Sequence, residues 1–476
     1  MFRITTFFLV CFLCFTGCSS TSEKKALRES PEAKIAQRDL DVILASGKLV
    51  ALTDFSSSSY FIFKGVPMGF EYELLQRFCD ELGVDLSVRI VSDMDSVIYL
   101  LNRNKGDVIA ANYTVTNRRK RKVSFSEPVL KTRQVLVQRL PEQWWTMTRD
   151  QLNQNLVRNA VGLVGKEVYV RRESSFYTRL LNLMDEMGGI IDIEFAEGIG
   201  TEQLIEMVSL GEINYTVADE NVAVLNKAYF SNIDVNTPLS FTQNVAWACR
   251  KNSPLLLDTL NSWLNEFKHT EEFAVIHLKY FKARTQHRER VLSEYSSLKG
   301  SKISPYDVLI KQEAERIGWD WKLLAAMIYQ ESKFIPDAEA WTGASGLMQL
   351  IPETAQRFGA DSVGDPQQNI HAGVSFLKTI DAYWKEKLND STQIIPFSLA
   401  SYNVGLGHVL DARRLAKKHG GDTASWESVS TFLELKAQPQ FYTDEVVRHG
   451  YCRGTEPVTY VRSIMSLWEH YKNTPI

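Results

Sequence analysis

The chain has 476 residues, which predicts about three packing units of roughly 150 residues each. With 44% hydrophobic, 23% charged and 11% aromatic residues, the composition is that of an ordinary globular protein with apolar material for several cores. A net charge of -3 supplies no global basic field and argues against nucleic acid as a partner.

The first 18 residues stand apart. Arg3 makes the start weakly positive, and Phe7 to Phe15 is an apolar run too short to span a bilayer. This predicts a secretory signal peptide over residues 1–17. The run closes as Phe15-Thr16-Gly17-Cys18-Ser19-Ser20, which resembles a bacterial lipobox, where the peptide is cut before a cysteine that is then acylated. Phe15 stands where an aliphatic residue is usual, and plain secretion after a small-residue cleavage site is the alternative. Several acyl chains on Cys18 would anchor stably, since each buried methylene contributes about 0.8 kcal/mol. Ser19 is not the aspartate that often retains such proteins at the inner membrane. The expected location is therefore periplasmic, with the lipid in the outer membrane rather than the inner. Cys11 and Cys14 leave with the signal. Cys79, Cys249 and Cys452 are too widely spaced for a metal pattern or a disulfide framework. They read mainly as small buried hydrophobes, with one disulfide left open in an oxidising periplasm.

Residues 18–38 are rich in Ser, Lys, Glu and Arg and read as a lipidated N-terminus and flexible tether. From Asp39, strands and helices alternate. The pattern predicts a strand over Lys48–Thr53 and a helix over Phe70–Leu82, with Leu74, Leu75 and Phe78 on one face and Gly83 closing it. A strand over Val84–Ile90 follows, then Asp95 as N-cap of a helix over Ser96–Asn102, then a strand over Val108–Asn112. This βαβαβ order argues for a doubly wound lobe. A second α/β stretch runs from about Pro141 to Thr242, entered through Gln134–Gln138 and left through Val245–Cys249. Helices follow around Leu255–Phe267 and Glu271–Tyr280. Lobe one is therefore discontinuous, and lobe two, about residues 140–244, is inserted in it. The two-lobed module is expected over residues 39–285, a charged, Ser-rich linker over 286–303, and a domain of helices only over 304–476. Ser304-Pro305-Tyr306-Asp307 reads as a capping box with proline in the first helical position. Asp320 reads as the N-cap of Trp321–Ser332, and Pro352 and Asp365-Pro366 as further helix starts.

Within Trp321–Ser332, residues Leu324, Met327, Ile328 and Glu331 are three and four apart, so they share one helix face. A carboxylate thus ends an apolar stripe, where partial burial would raise its pKa into the range a glycosidic acid needs near neutral pH. Alone, this pattern fits equally a glutamate reaching solvent at a helix end. The neighbours decide. Glu331-Ser332 is followed by Gly343-Ala344-Ser345-Gly346-Leu347-Met348-Gln349, Pro352-Glu353-Thr354-Ala355, Ala400-Ser401-Tyr402-Asn403-Val404-Gly405 and Tyr460-Val461-Arg462. In order and spacing these resemble the motifs of the soluble-lytic-transglycosylase (SLT, goose-lysozyme-like) family, over about residues 300–474. The resemblance implies an all-α, lysozyme-like domain with a sugar cleft, acting on peptidoglycan glycan strands without metal or cofactor. Glu331 takes the family's catalytic position. It would protonate the glycosidic oxygen between N-acetylmuramic acid and N-acetylglucosamine, then act as base on the muramic C6 hydroxyl as that oxygen attacks C1. The product would be a 1,6-anhydro sugar, whereas most glycoside hydrolases use two carboxyls and water. Asp337 and Glu339 lie near in sequence and read as solvated loop acids. By the same match Met348 and Gln349 would line the cleft beside Glu331, Tyr402 and Asn403 would form its opposite wall, and Tyr460 would reach Glu331 or the scissile region. Many members carry a serine where this chain has Ala340, with Thr342 close by.

Upstream, Gly69-Phe70-Glu71-Tyr72-Glu73-Leu74, Gly106-Asp107, Thr116-Asn117-Arg118-Arg119 and Val123-Ser124-Phe125-Ser126-Glu127-Pro128 resemble the amino-acid-binding family of periplasmic solute receptors, over about residues 40–285. Such proteins close two lobes on a ligand by hinge motion. Arg119 falls where that family's arginine forks onto a ligand carboxylate, a geometry that suits a planar guanidinium. Asp219 falls where the family holds the ligand amine. The usual lobe-two glycine-threonine is Glu173-Ser174 here, so the ligand need not be a free amino acid. A stem peptide of the cell wall carries both groups, and a muropeptide or amino-acid-like effector is the expected ligand. The whole reads as a two-lobed α/β periplasmic-binding-protein-like module followed by an all-α lysozyme-like (SLT) domain. Two other readings stay open: a water-using muramidase on the same fold, and a tethered, non-enzymatic receptor.

Overall fold

The computed structural model describes residues 37–172, 174–300 and 302–474. The signal peptide, Cys18, the tether up to residue 36 and Glu173 lie outside them. Two five-stranded sheets build the first module. In sheet one, β1 (Lys48–Thr53) pairs in parallel with β4 (Asp85–Ile90) and β5 (Val108–Ile109), while β12 (Gln243–Cys249) runs antiparallel between β5 and β6 (Ser124–Thr132). Sheet two has the order β11 (Ile233–Pro238), β7 (Gln134–Arg139), β10 (Tyr215–Asp219), β8 (Glu167–Val170), β9 (Asp192–Phe195). Sheet one thus draws strands from both sides of sheet two, as expected of an inserted lobe. Only Arg133 separates β6 from β7, so the chain passes between lobes almost without a loop.

The local rules explain most boundaries. The helix Phe70–Leu82 buries Leu74, Leu75 and Phe78 and stops at Gly83, whose left-handed φ of 67° ends it. Two caps differ from expectation. Ser96, not Asp95, precedes the helix Val97–Asn102 and makes no side-chain cap, because Asp93 accepts from the Asp95 amide and forms the turn ahead of it. The helix after Ser304 begins only at Asp307. The Asp307 carboxylate reaches back to the Ile303 and Ser304 amides, at 2.7 and 2.8 Å, and takes the Ser304 hydroxyl as well, while that hydroxyl accepts from the Tyr306 amide rather than from Asp307. The charged stretch around residue 290 carries a helix, Arg284–Leu292, with Val291 buried.

The second module is helical, with Trp321–Ser332 through its centre. Leu323 to Ile328 are buried without interruption, which marks a helix surrounded on all sides. Asp320 caps it through the Lys322 amide. The long C-terminal helix Thr455–Asn473 lies antiparallel to it: the Tyr460 hydroxyl meets Glu331 at one end and the Lys322 ammonium meets the Tyr471 carbonyl at the other, 2.8 Å away. Cys79, Cys249 and Cys452 are free and buried, so they act as small hydrophobes and form no disulfide among themselves. Among the described residues no helix is long and apolar enough to cross a membrane.

Candidate active site and ligand cleft

Glu331 sits in the last turn of the central helix. Burial pushes its carboxyl up to about 7, against the pull of the Tyr460 hydroxyl, which donates to it and favours the ionised form. Tyr460 is itself buried, and both burial and the facing carboxylate hold its phenol well above the usual range. It therefore stays a donor at any working pH. Tyr402, on the helix Ser391–Val404, is a second buried phenol raised by its burial and by the Glu331 carboxylate. Its hydroxyl donates to the Met348 carbonyl, 2.8 Å away. Three helices distant in sequence thus converge on one carboxyl.

Between Ser332 and Pro352 the chain forms a narrow loop held by bridges between Glu339 and Ser345 and between Ser345 and Leu350. Here two expectations change. Met348 is 0% exposed; its side chain joins the core of the helical domain, and only its backbone serves the site, taking Tyr402 on the carbonyl and giving its N–H to Asn369. Gln349 spends its amide N–H groups within the loop, on the Ala338 and Gly346 carbonyls at 2.9 Å. Its φ of 47° is left-handed, so the residue acts as a brace of the loop. The apolar and small residues of this motif hold backbone shape more than they touch a ligand. Asn369 escaped the sequence reading. Fully buried in the helix Pro366–Lys387, it accepts from the Met348 amide and donates to the Ser345 and Val363 carbonyls. A Cβ on Gly346 (φ 81°) would collide with it. An asparagine just inside the helix that opens at Pro366, a type disfavoured within helices, was the available signal. Asn403 is exposed, as are Asp337 and Glu339; the last two do not figure among the groups that shift Glu331. Ala340 and Thr342 lie at the turn, where the Gly343 amide donates to the Ala340 carbonyl.

In the first module, Arg119 and Asp219 line one cavity of about 560 Å³ between the lobes. Arg119 stacks 3.8 Å over the Tyr113 ring and gives one nitrogen to the Thr114 carbonyl. Burial lowers its pKa from a very high value, so it remains a cation. Asp219 ends β10 and is 2% exposed. One carboxylate oxygen accepts from Asn112 at 2.7 Å, and the other is buried without a partner. Burial pushes Asp219 up to about 7, although Arg119 and Arg171 pull it down. Arg171 was not anticipated. It lines the same cavity, with its Nε buried and unpartnered. Among the described residues no cluster of His, Cys, Asp and Glu could hold a metal.

A two-lobed α/β receptor-like module with a charged interlobe cavity, joined to a helical domain that buries one carboxyl under two tyrosines, defines a bimodular protein of the solute-binding and lysozyme-like classes. Family models agree: bacterial extracellular solute-binding proteins, family 3, match residues 49–283, and the transglycosylase SLT domain matches residues 308–424. A membrane-bound lytic murein transglycosylase F of Desulfosudis oleivorans is 36% identical over 426 residues, covering 90% of each chain. One from Pseudomonas fluorescens Pf-5 is 32% identical over 440 residues, covering 90% of this chain and 86% of its own. Among solved structures, the ancestral amino-acid-binding protein AncCDT-1 aligns with 51% of this chain and 99% of its own at 23% identity and a TM-score of 0.44. The chain belongs to the membrane-bound lytic murein transglycosylase F family.

Proposed function

We propose that this chain is a peptidoglycan lytic transglycosylase in which Glu331 is both general acid and general base. The observation that carries the reading is the half-buried carboxyl of Glu331, pushed up to about 7 and met by the Tyr460 hydroxyl. At neutral pH a large share of Glu331 is protonated and can give its proton to the glycosidic oxygen between N-acetylmuramic acid and N-acetylglucosamine. The carboxylate so formed, steadied by Tyr460, then takes the proton of the muramic C6 hydroxyl as that oxygen bonds to C1. A 1,6-anhydro end results and no water is consumed. The brace of Gln349, Asn369 and Tyr402 around the loop supports this reading by fixing the wall next to the carboxyl. Mass spectrometry of digested sacculi tests it: anhydro ends that disappear with Glu331→Gln are expected, while reducing ends from the wild type would establish hydrolysis instead.

In the first module the proposed ligand is a muropeptide or amino-acid-like molecule, its carboxylate on Arg119 and its amine on Asp219. The unpartnered Asp219 oxygen suits an ammonium. Calorimetry with Arg119→Ala tests this assignment. We further place the protein in the periplasm, carried there by a signal peptide over residues 1–17 and anchored through an acylated Cys18 to the outer membrane. Labelling with a fatty-acid analogue, lost in Cys18→Ala, is the expected result.

A further inference from the structure

The two modules meet at a hairpin. β2 (Phe61–Phe63) and β3 (Val66–Met68) pair antiparallel, joined by Lys64 and Gly65 alone. Both are left-handed, with φ of 50° and 79°, as a two-residue hairpin turn requires. The hairpin packs Phe61 and Met68 into the core of the first module, yet its Ile62 reaches into the second. Ile62 is 0% exposed and forms part of the helical domain's core. The segment after residue 293 pairs with the hairpin: Lys64 donates to the Tyr295 carbonyl, and Ser297 donates to the Ile62 carbonyl while its hydroxyl takes the Ile62 N–H. At the tip, the Gly65 carbonyl accepts from the Tyr471 hydroxyl, 2.8 Å away and buried. A Cβ on Gly65 would lie 2.8 Å from Phe334 and Tyr471 and 2.9 Å from Tyr329. No other residue fits there.

Two of these aromatics flank Glu331 in sequence at the end of its helix, and the third stands on the Tyr460 helix. Tyr329 precedes Glu331 by two residues, and Phe334 follows it by three. Between them the helix ends in an unusual way. Lys333 and Phe334, neither a glycine, are consecutive left-handed residues with φ of 54° and 62°. Each such residue costs on the order of 1 kcal/mol, and the conformation persists only where surroundings impose it. Phe334 is buried, lies edge-on to Tyr329 at 5.6 Å and abuts the hairpin tip. Tyr471 is on the same helix as Tyr460. Eleven residues at 100° each bring the two onto nearly the same stripe, about 16 Å apart. One stripe therefore carries the hydroxyl that meets Glu331 and the hydroxyl that meets the hairpin. Both elements that hold Glu331 in place, its own helix end and the Tyr460 helix, are seated on Gly65.

We propose that the Phe61–Met68 hairpin is a positioning element for Glu331, with Gly65 and Tyr471 as positioning residues that fix the Lys333–Phe334 turn and the Tyr460 helix relative to the carboxyl. The proposal rests on the reading of Glu331 as the acid. It makes the catalytic geometry of the helical domain depend on a strand pair contributed by the receptor-like module. Tyr471→Phe removes one hydroxyl and no packing. Gly65→Ala inserts one methyl into the aromatic cage. Lys48→Ala, which breaks the exposed Lys48–Glu469 pair between the first module and the C-terminal helix, away from the hairpin, is the control.

The test is steady-state kinetics of the full chain on sacculi between pH 5 and 9, about the range in which a carboxyl near 7 titrates, with thermal unfolding alongside. For Tyr471→Phe the expected result is a loss in kcat of about three- to tenfold, KM within about twofold, and a displaced alkaline limb of the kcat profile. Gly65→Ala is expected to lose about a hundredfold in kcat, and Lys48→Ala to match the wild type. If Gly65→Ala does not fold, Tyr471→Phe decides. An unchanged kcat and unchanged limb in Tyr471→Phe would overturn the proposal, and so would a kcat loss with the limb in place, which marks a purely structural residue. Activity in Glu331→Gln would take down the underlying reading and this proposal together, whereas an inactive Glu331→Gln beside a normal Tyr471→Phe removes the hairpin's role alone.

Discussion

Each module holds a carboxylic acid that desolvation pushes up to about 7, Asp219 in the interlobe cavity and Glu331 in the helical domain. Their surroundings differ in kind. Asp219 faces two arginines and an asparagine and still keeps one oxygen without a partner. Glu331 faces two phenols, and no cation figures among the groups that shift it. An acid among fixed cations is a receptacle: its burial is relieved when a ligand brings a compensating ammonium. An acid among neutral donors can hold a proton or release it with little change around it, as a group that works in two successive protonation states must. The same shift thus serves opposite ends, and only the neighbours tell them apart.

The contrast can be broken most sharply at Glu331 itself. Glu331→Gln should lower turnover by about a thousandfold or more, measured as anhydro ends released from sacculi. Next, Arg119→Ala should weaken ligand affinity by about a hundredfold in calorimetry while leaving basal turnover intact. Unchanged affinity would remove the receptacle from the comparison. Stability gives a third handle. A carboxyl whose folded pKa is raised binds its proton more tightly in the folded chain, so its unfavourable contribution grows as pH rises from the unfolded value toward 7 and is complete above it. Glu331→Gln should therefore be more stable than the wild type at pH 8, on the order of 2 kcal/mol, with the difference fading toward pH 4. Urea unfolding at the two pH values checks the sign. Tyr460→Phe removes the donor that favours the ionised form. About a tenfold loss in kcat is expected, with the alkaline limb of the profile moved upward. Last and smallest, an ammonium arriving at Asp219 should release up to one proton near pH 7, so calorimetric heats should vary with the ionisation heat of the buffer. No variation would show that the ligand leaves Asp219 protonated.

Legibility in the sequence followed the range of the interaction. The helix Phe70–Leu82, the cap at Asp320 and the inserted lobe were readable because apolar periodicity, capping chemistry and strand–helix alternation act within a few residues. The caps at Asp95 and Ser304 were misread because a neighbouring carboxylate, Asp93 or Asp307, organises the turn before the helix, and backbone geometry decides where the helix then starts. In the cleft motif, residue types were readable but directions were not. Met348 was expected toward the sugar and lies in the core, since which face of an irregular loop meets solvent depends on what packs behind it, here Asn369 and Gly373.

By itself the sequence determined two modules in order and a helix over Trp321–Ser332 that carries Glu331 in its last turn, and its motifs singled out Arg119 and Asp219 as candidate ligand contacts. These follow from short-range pattern and from motifs whose spacing survives without coordinates. Tertiary structure alone decided which of its two expected places the Tyr460 hydroxyl takes, donating to Glu331, that Asp219 keeps an unpartnered oxygen beside Arg171, and that Gly65 is enclosed by Tyr329, Phe334 and Tyr471. The physical reason is desolvation and steric exclusion. Both depend on every atom within a few ångströms, and those atoms come from segments tens to hundreds of residues apart, so no local window of the chain contains them.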